Sequence, residues 1–203
     1  MMSTAVQSTE TNQFVIHFGP MLKNVSDDDF FEFCRINRDW RIERTSNGEV
    51  ILMAPTGGEG GSRNFYLTGT FFGWVIADGT GKGFDSSTGF ILPNGATRSP
   101  DVAWVKLSRW NALTEKEQKK FPPLCPDFVV ELRSETDSLP DLQAKMGEYV
   151  DNGAELGWLL DPFEKKVYIY RPGAEVECLD NPEAVRGAPL LAGFVLTPRE
   201  LWD

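Results

Sequence analysis

Residues 126–153, PDFVVELRSETDSLPDLQAKMGEYVDNG, constrain the fold more than any other part of the sequence. They predict a buried strand, a polar turn and a capped helix. Successive strand side chains point to opposite faces. Asp127, Val129, Glu131 and Arg133 therefore share one face, and Phe128, Val130 and Leu132 the other. The β-branched pair Val129 and Val130 suits a strand. Glu131 is an acid inside an apolar run, and its burial is costly unless it is paired or holds a metal. Ser138 stands where a helix cap is expected and Pro140 fits the first turn. Leu142, Met146 and Tyr149 follow at helical spacing, and Gly153 is a C-terminal stop. Lys145, in mid-helix, can reach back toward the strand's polar face. The unit thus presents an acid and a cation on the strand and a second cation on the helix.

The remaining segments alternate helices with hairpins. The opening dozen residues, MMSTAVQSTETN, are small and polar and read as a disordered lead-in (1–12) to one domain (13–203). They carry neither the basic nor the apolar region of a signal peptide. Ser26 followed by Asp27, Asp28 and Asp29 predicts a capped helix that packs Phe30, Phe31 and Cys34. Asn47-Gly48 marks a hairpin whose second arm, VILM, is apolar enough to be central. The glycines between Thr56 and Ser62 read as a flexible lead into a largely buried helix carrying Phe65, Leu67, Phe71, Phe72 and Val75. Within it Gly69 and Gly73, four apart, permit a neighbouring element to approach closely. Asn94-Gly95 marks a second hairpin. Asp101 then opens the run DVAWV behind Pro100, with Val102 and Trp104 facing away from Asp101, Ala103 and Val105. One or two short helices follow, ending in a solvated basic run of Lys116, Lys119 and Lys120. A third hairpin over 156–170, an edge strand near 175–179 and a last helix docking Leu201 and Trp202 complete the chain. This order predicts the α/β class, bordering on α+β, with a mixed central sheet flanked by helices.

Composition narrows the chemistry. His17, inside FVIHFG, is the single histidine and reads as a packed side chain; this excludes His-rich metal sites and counts against His-based triads. Cys34, Cys125 and Cys178 are far apart and odd in number, as expected of reduced thiols in the cytoplasm. No apolar run is long enough to span a membrane. A net charge of −10 opposes non-specific nucleic-acid binding, although a local basic groove or bound Mg²⁺ would offset it. Chemistry must rest on carboxylates, Lys, Arg, Ser or Tyr. The candidate constellation is Asp101 at a strand start, Glu131 inside another strand, and the cations Arg133 and Lys145. If the two strands are neighbours the carboxylates converge, and two carboxylates with a carbonyl and waters suit Mg²⁺. From the residues alone a surface ion pair explains the same pattern. Glu59, a lone acid at a helix start, reads equally as complementing the helix dipole.

The segments LMAPTGGEGGSRN, GFDSSTGFILPNGATRSPDVAWV, FPPLCPDFVVELRSETDSL, KMGEYVDNGAELGWLLDP and VYIYRPG together resemble the Uma-two family. That family is a restriction-endonuclease-like branch of the PD-(D/E)XK nuclease superfamily. The resemblance runs from about Phe14 to the end. It implies a restriction-endonuclease-like fold, a divalent metal (Mg²⁺, with Mn²⁺ as substitute) and hydrolysis of DNA phosphodiester bonds. The superfamily's Pro-Asp falls on Pro100-Asp101, its second acid on Glu131, and its early helix acid on Glu59. The usual lysine position holds Arg133, which departs from the pattern. In this family the lysine is placed on the following helix, which here is Lys145. Metal ligation is thus expected at Asp101 and Glu131, aided by Glu59, with Lys145 or Arg133 stabilising charge. A guanidinium cannot act as a base, so Arg133 would hold phosphate or pair with Glu131. The alternative is a catalytically inactive nuclease-fold binding module. A homodimer is expected of an endonuclease that cuts both strands, but no residue identifies its interface.

Overall fold

The structure, a computed structural model, describes residues 6–8, 13–16 and 25–202. His17 and most of the expected lead-in lie outside the described residues, and Val6–Ser8 of that lead-in forms a strand. The chain runs β1 (Val6–Ser8), β2 (Gln13–Ile16), α1 (Asp27–Ile36), β3 (Arg41–Arg44), β4 (Val50–Met53), α2 (Gly58–Asp78), β5 (Gly81–Asp85), β6 (Phe90–Ile91), β7 (Thr97–Arg98) and β8 (Val102–Lys106). It continues through α3 (Leu107–Asn111), α4 (Glu115–Gln118), β9 (Phe128–Leu132), α5 (Leu139–Asp151), β10 (Leu156–Asp161), β11 (Lys166–Tyr170), β12 (Glu177–Asp180), β13 (Val185–Arg186), β14 (Val195–Leu196) and α6 (Arg199–Trp202).

These elements form a mixed α/β fold. Its main sheet has the order β12-β11-β10-β9-β8-β5 and is antiparallel except where β9 and β10 run parallel. A parallel neighbour needs a crossover, and α5 supplies it. A second six-stranded sheet, β1-β2-β4-β3-β7-β6, is antiparallel throughout. The main sheet is the mixed central sheet expected from the sequence; the hairpins at Asn47-Gly48 and Asn94-Gly95 pair with each other, through Arg44 and Thr97, to build this second one. Both turns place their glycine at positive φ, 83° at Gly48 and 86° at Gly95, a conformation that strains residues with a side chain.

Alternation along β8 and β9 divides the core. Val102, Trp104, Phe128, Val130 and Leu132 face Leu67 and Phe71 of α2 and the C-terminal residues Phe194, Leu201 and Trp202. Ala103, Val105 and Val129 face Leu142, Met146 and Tyr149 of α5. Full burial of each large apolar side chain stabilises the fold by about 1.5–3 kcal/mol, so both faces of the main sheet hold it in place. The register Val102↔Val130 carries on to set Asp101 beside Glu131 on the α5 face.

Two expectations for α2 are corrected. The glycines before Ser62 are not a flexible lead, because the helix already starts at Gly58. Nor is the helix largely buried: Leu67 and Phe71 are, whereas Phe65 and Phe72 point to solvent. The helix is apolar around most of its circumference, and its sequence alone does not say which side meets the sheet.

Candidate active site

The site lies where the chain passes from one sheet to the other. β7 ends at Arg98, Ser99 and Pro100 form the link, and Asp101 precedes β8. Arg41 and Glu43 alternate on β3 with Ile42, so they share a face, and together they grip this link. Glu43 Oε1 accepts from the Ser99 amide at 2.9 Å, and Arg41 donates to the Ser99 carbonyl and to Asp101 Oδ1, the latter at 3.1 Å. Asp101 Oδ2 accepts the Leu132 amide at 2.8 Å, which ties the start of β8 to the end of β9.

Helix α5 completes the cluster. Ser138 begins it with extended backbone, Pro140 lies in its first turn, and Asn152 ends it with Gly153 next at φ 110°. Lys145 and Tyr149, four residues apart, fall on one side of the helix and meet Glu131. Lys145 Nζ lies 2.8 Å from Glu131 Oε1 and 2.9 Å from Glu43 Oε1. The Tyr149 hydroxyl donates to the same Glu131 oxygen at 2.9 Å. Arg98 bridges Glu43, at 3.1 Å, to Glu148, at 2.6 Å. Three acids, Glu43, Asp101 and Glu131, thus interleave with three cations, Arg41, Arg98 and Lys145. The acids are 2%, 6% and 3% exposed. The bland alternative of a surface ion pair is therefore excluded.

Burial and charge push the two glutamates apart. Burial raises the Glu131 carboxyl, Lys145 draws it down, and the neighbouring Asp101 and Glu43 push it up again, to about 7. Burial would raise Glu43 too, but Lys145, Arg98 and Arg41 outweigh it and hold that carboxyl at about 2. Burial disfavours the Lys145 ammonium, yet Glu131 and Glu43 more than offset it, so its pKa is raised and it stays protonated. Burial and the same two acids raise the Tyr149 phenol, which remains a neutral donor.

Of the residues singled out from the sequence, Asp101, Glu131 and Lys145 come together and two others do not. Arg133 lies beyond the end of β9; its guanidinium bonds the fully buried Asp161 at 2.8 Å and packs on Phe163. Glu59 is exposed at the start of α2, where Arg63 lies 3.6 Å away. Conversely, Glu43, Arg41, Arg98, Glu148 and Tyr149 belong to the cluster without having been singled out. The available signal was Arg41 and Glu43 on one face of a short strand, charged residues that a strand next to the apolar β4 can bury only if they are paired. Their partners lie more than fifty positions away.

Among the described residues no group of three or more His, Cys, Asp or Glu is arranged to hold a metal ion. A two-carboxylate site is the other possibility. Asp101 and Glu131 supply hard oxygens, and Asp101 adds to the cost of charging Glu131. This suits Mg²⁺, which commonly takes one or two protein carboxylates and keeps several waters.

The sequence model of one family, Uma2, described as "Putative restriction endonuclease", matches residues 27–199. The chain belongs to the Uma2 family. No curated protein matches it. Among solved structures, one described as a "putative nuclease belonging to DUF820" from Anabaena variabilis ATCC 29413 is similar, with a TM-score of 0.69 and 19% identity. The match covers 88% of this chain and 97% of the other. At that identity the likeness establishes the fold alone, a mixed α/β arrangement. Within the Uma2 frame, the matched span includes Glu43, Asp101, Glu131, Arg41, Arg98 and Lys145 together with Glu148 and Tyr149. No helix among the described residues is long and apolar enough to cross a membrane.

Proposed function

We propose that this Uma2 protein is a divalent-metal-dependent endonuclease that hydrolyses DNA phosphodiester bonds at the Asp101–Glu131–Lys145 cluster. The observation that carries the reading is the Lys145 ammonium, 2.8 Å from a buried Glu131 that is itself crowded by Asp101. Two acids and a lysine drawn from two strands and a helix are the parts that phosphoryl transfer needs, and the family description points to the same chemistry.

Asp101 and Glu131 would hold Mg²⁺, or Mn²⁺ in its place; once bound, the ion polarises a phosphoryl oxygen and lowers the pKa of an attacking water. Lys145, protonated and held by two carboxylates, orients that water or stabilises the charge that develops on the phosphorus oxygens. Glu43 is a positioning residue, holding Lys145 at 2.9 Å while Glu131 contacts the same ammonium. Tyr149 donates to the same Glu131 oxygen that meets Lys145. Arg133 anchors Asp161 and has no part in this scheme.

The test is cleavage of supercoiled plasmid with Mg²⁺ or Mn²⁺ by wild type, Asp101→Ala, Lys145→Ala and Arg133→Ala. Cleavage that disappears in the first two variants and survives in the third is the expected result. Equal loss in Arg133→Ala, with the protein folded, would return the cationic role to that residue. A second reading draws on one observation: Lys145 and Arg41 already neutralise the acids within the cluster. In that case the chain is a nuclease-fold binding module without catalysis. Absence of cleavage across varied DNA, together with Mg²⁺ binding that Glu131→Gln leaves unchanged, would favour it.

A further inference from the structure

Helix α2 carries an uncovered apolar face. Its exposed positions after the first turn are Ser62, Phe65, Gly69, Phe72, Gly73, Ile76 and Ala77, none of them charged. Phe65, Phe72 and Ile76 are 83%, 62% and 68% exposed. A solvent-facing helix side is ordinarily polar, and glycine is among the least favourable residues in a helix interior. Yet a Cβ on Gly69 or Gly73 would meet no atom within 4 Å among the described residues. Nothing in the described fold therefore requires glycine at either position.

We propose that this face docks a second copy of the chain, α2 against α2 in antiparallel orientation about a two-fold axis. The pattern is self-complementary. With paired residue numbers summing to 141, Phe72 of one copy falls on Gly69 of the other, and Phe65 falls on Ile76. Each large side chain then meets either a glycine hollow or another apolar side chain. A two-fold contact requires such a patch, identical on both copies.

Charge points to the same occupant. The chain carries a net charge of −10, and contact across an uncharged face sets no like charges directly against each other. A partner recognised by its charge would meet residues of opposite sign, which this stripe lacks. The area is of the right size for the centre of an interface. At about 200 Å² for a whole large side chain, the three residues expose on the order of 400 Å² per copy. A standard interface buries roughly 800 Å² per partner, with a polar rim around an apolar centre. The proposal stands apart from the nuclease reading and holds whether or not the cluster cleaves DNA.

Sedimentation equilibrium on the full chain tests it. The expected mass is twice 22.7 kDa, with dissociation on dilution. Phe72→Asp and Gly69→Leu should each weaken association about tenfold or more, the factor that corresponds to 1.4 kcal/mol. Gly69→Leu fills the hollow while replacing a poor helix former with a good one, so its loss of association is not a loss of folding. Register is read by mixing Phe65→Cys with Ile76→Cys chains in a Cys178→Ser background and oxidising, which should give the mixed cross-linked pair. A wild type that stays monomeric at every concentration overturns the proposal. So does a dimer that both substitutions leave intact.

Discussion

Replacing Glu131 with glutamine should stabilise the protein at neutral pH, although it removes a proposed metal ligand. The glutamine side chain would keep the Oε1 that accepts from Lys145 and Tyr149, so the change deletes charge with little change of shape. The folded state holds the Glu131 carboxyl at about 7 against an ordinary 4.5, because burial, Asp101 and Glu43 outweigh Lys145. An acid with a raised folded pKa costs nothing below about pH 4.5, where folded and unfolded chains both carry its proton. Between 4.5 and 7 the unfolded chain ionises first and stability falls. Above 7 the penalty is constant. At about 1.4 kcal/mol per pH unit, it amounts to about 3 kcal/mol at pH 8 and about 1 kcal/mol at pH 5. Glutamine escapes it. Urea unfolding followed by tryptophan fluorescence should move the midpoint of Glu131→Gln upward by about 1 M at pH 8, for a slope near 2–3 kcal/mol/M. The shift should shrink to a fraction of that at pH 5. A midpoint at pH 8 that is unchanged or lower, or an equal gain at both pH values, would refute the reasoning.

Glu43 should behave with the opposite sign. Its folded carboxyl lies at about 2, so it contributes stability above pH 4.5 that is lost as pH falls toward 2; the full effect is about 3 kcal/mol. Circular dichroism over an acid titration should show Glu43→Gln less stable than wild type at pH 7 and less sensitive to acid. Arg133→Ala leaves the buried Asp161 with the backbone donors of Phe163 and Glu164 among the described residues, and should cost about 2 kcal/mol in urea unfolding, the scale of a lost charged hydrogen bond. Of the three thiols Cys178 is exposed, whereas burial lifts Cys34 to about 11 and Cys125 to about 12. A thiol reagent should therefore modify one cysteine rapidly in the native protein and all three after denaturation.

The local devices were legible in the sequence because each depends on neighbours in the chain. Asn47-Gly48 and Asn94-Gly95 set hairpins through backbone conformation, and Ser26 caps α1 through the Asp29 amide three residues on. The alternation of Asp101 and Ala103 against Val102 and Trp104 likewise matches the two sides of the core. What failed depended on distant partners. Phe65 and Phe72 read as buried because they are apolar, but only the placement of Leu67 and Phe71 on the sheet decides which side of α2 is covered. Arg133 shares strand parity with Glu131, but β9 ends at Leu132 and the adjacent parallel strand brings Asp161 within reach. Glu43 has no local signal, because nothing within a few positions reveals that Arg98, Ser99 and Lys145 converge on it.

The energetic character of the cluster bears on why it exists. Buried ion pairs are commonly no more stabilising than apolar residues of similar volume, since desolvation offsets attraction. Here the offset is incomplete at one member: Glu131 remains a strained acid even with Lys145 in contact and Tyr149 donating to it. A core selected for stability alone would have an apolar residue or an amide at this position. The neighbouring Glu43, by contrast, is well compensated and immobilises Lys145 against Glu131. One glutamate is thus maintained at a cost and the other serves to maintain it. Such a division is expected where an acid must stay available to a cation that the folded chain does not itself provide. If Glu131→Gln raises stability and abolishes cleavage together, the same carboxylate will have been shown to burden the fold and to carry the reaction.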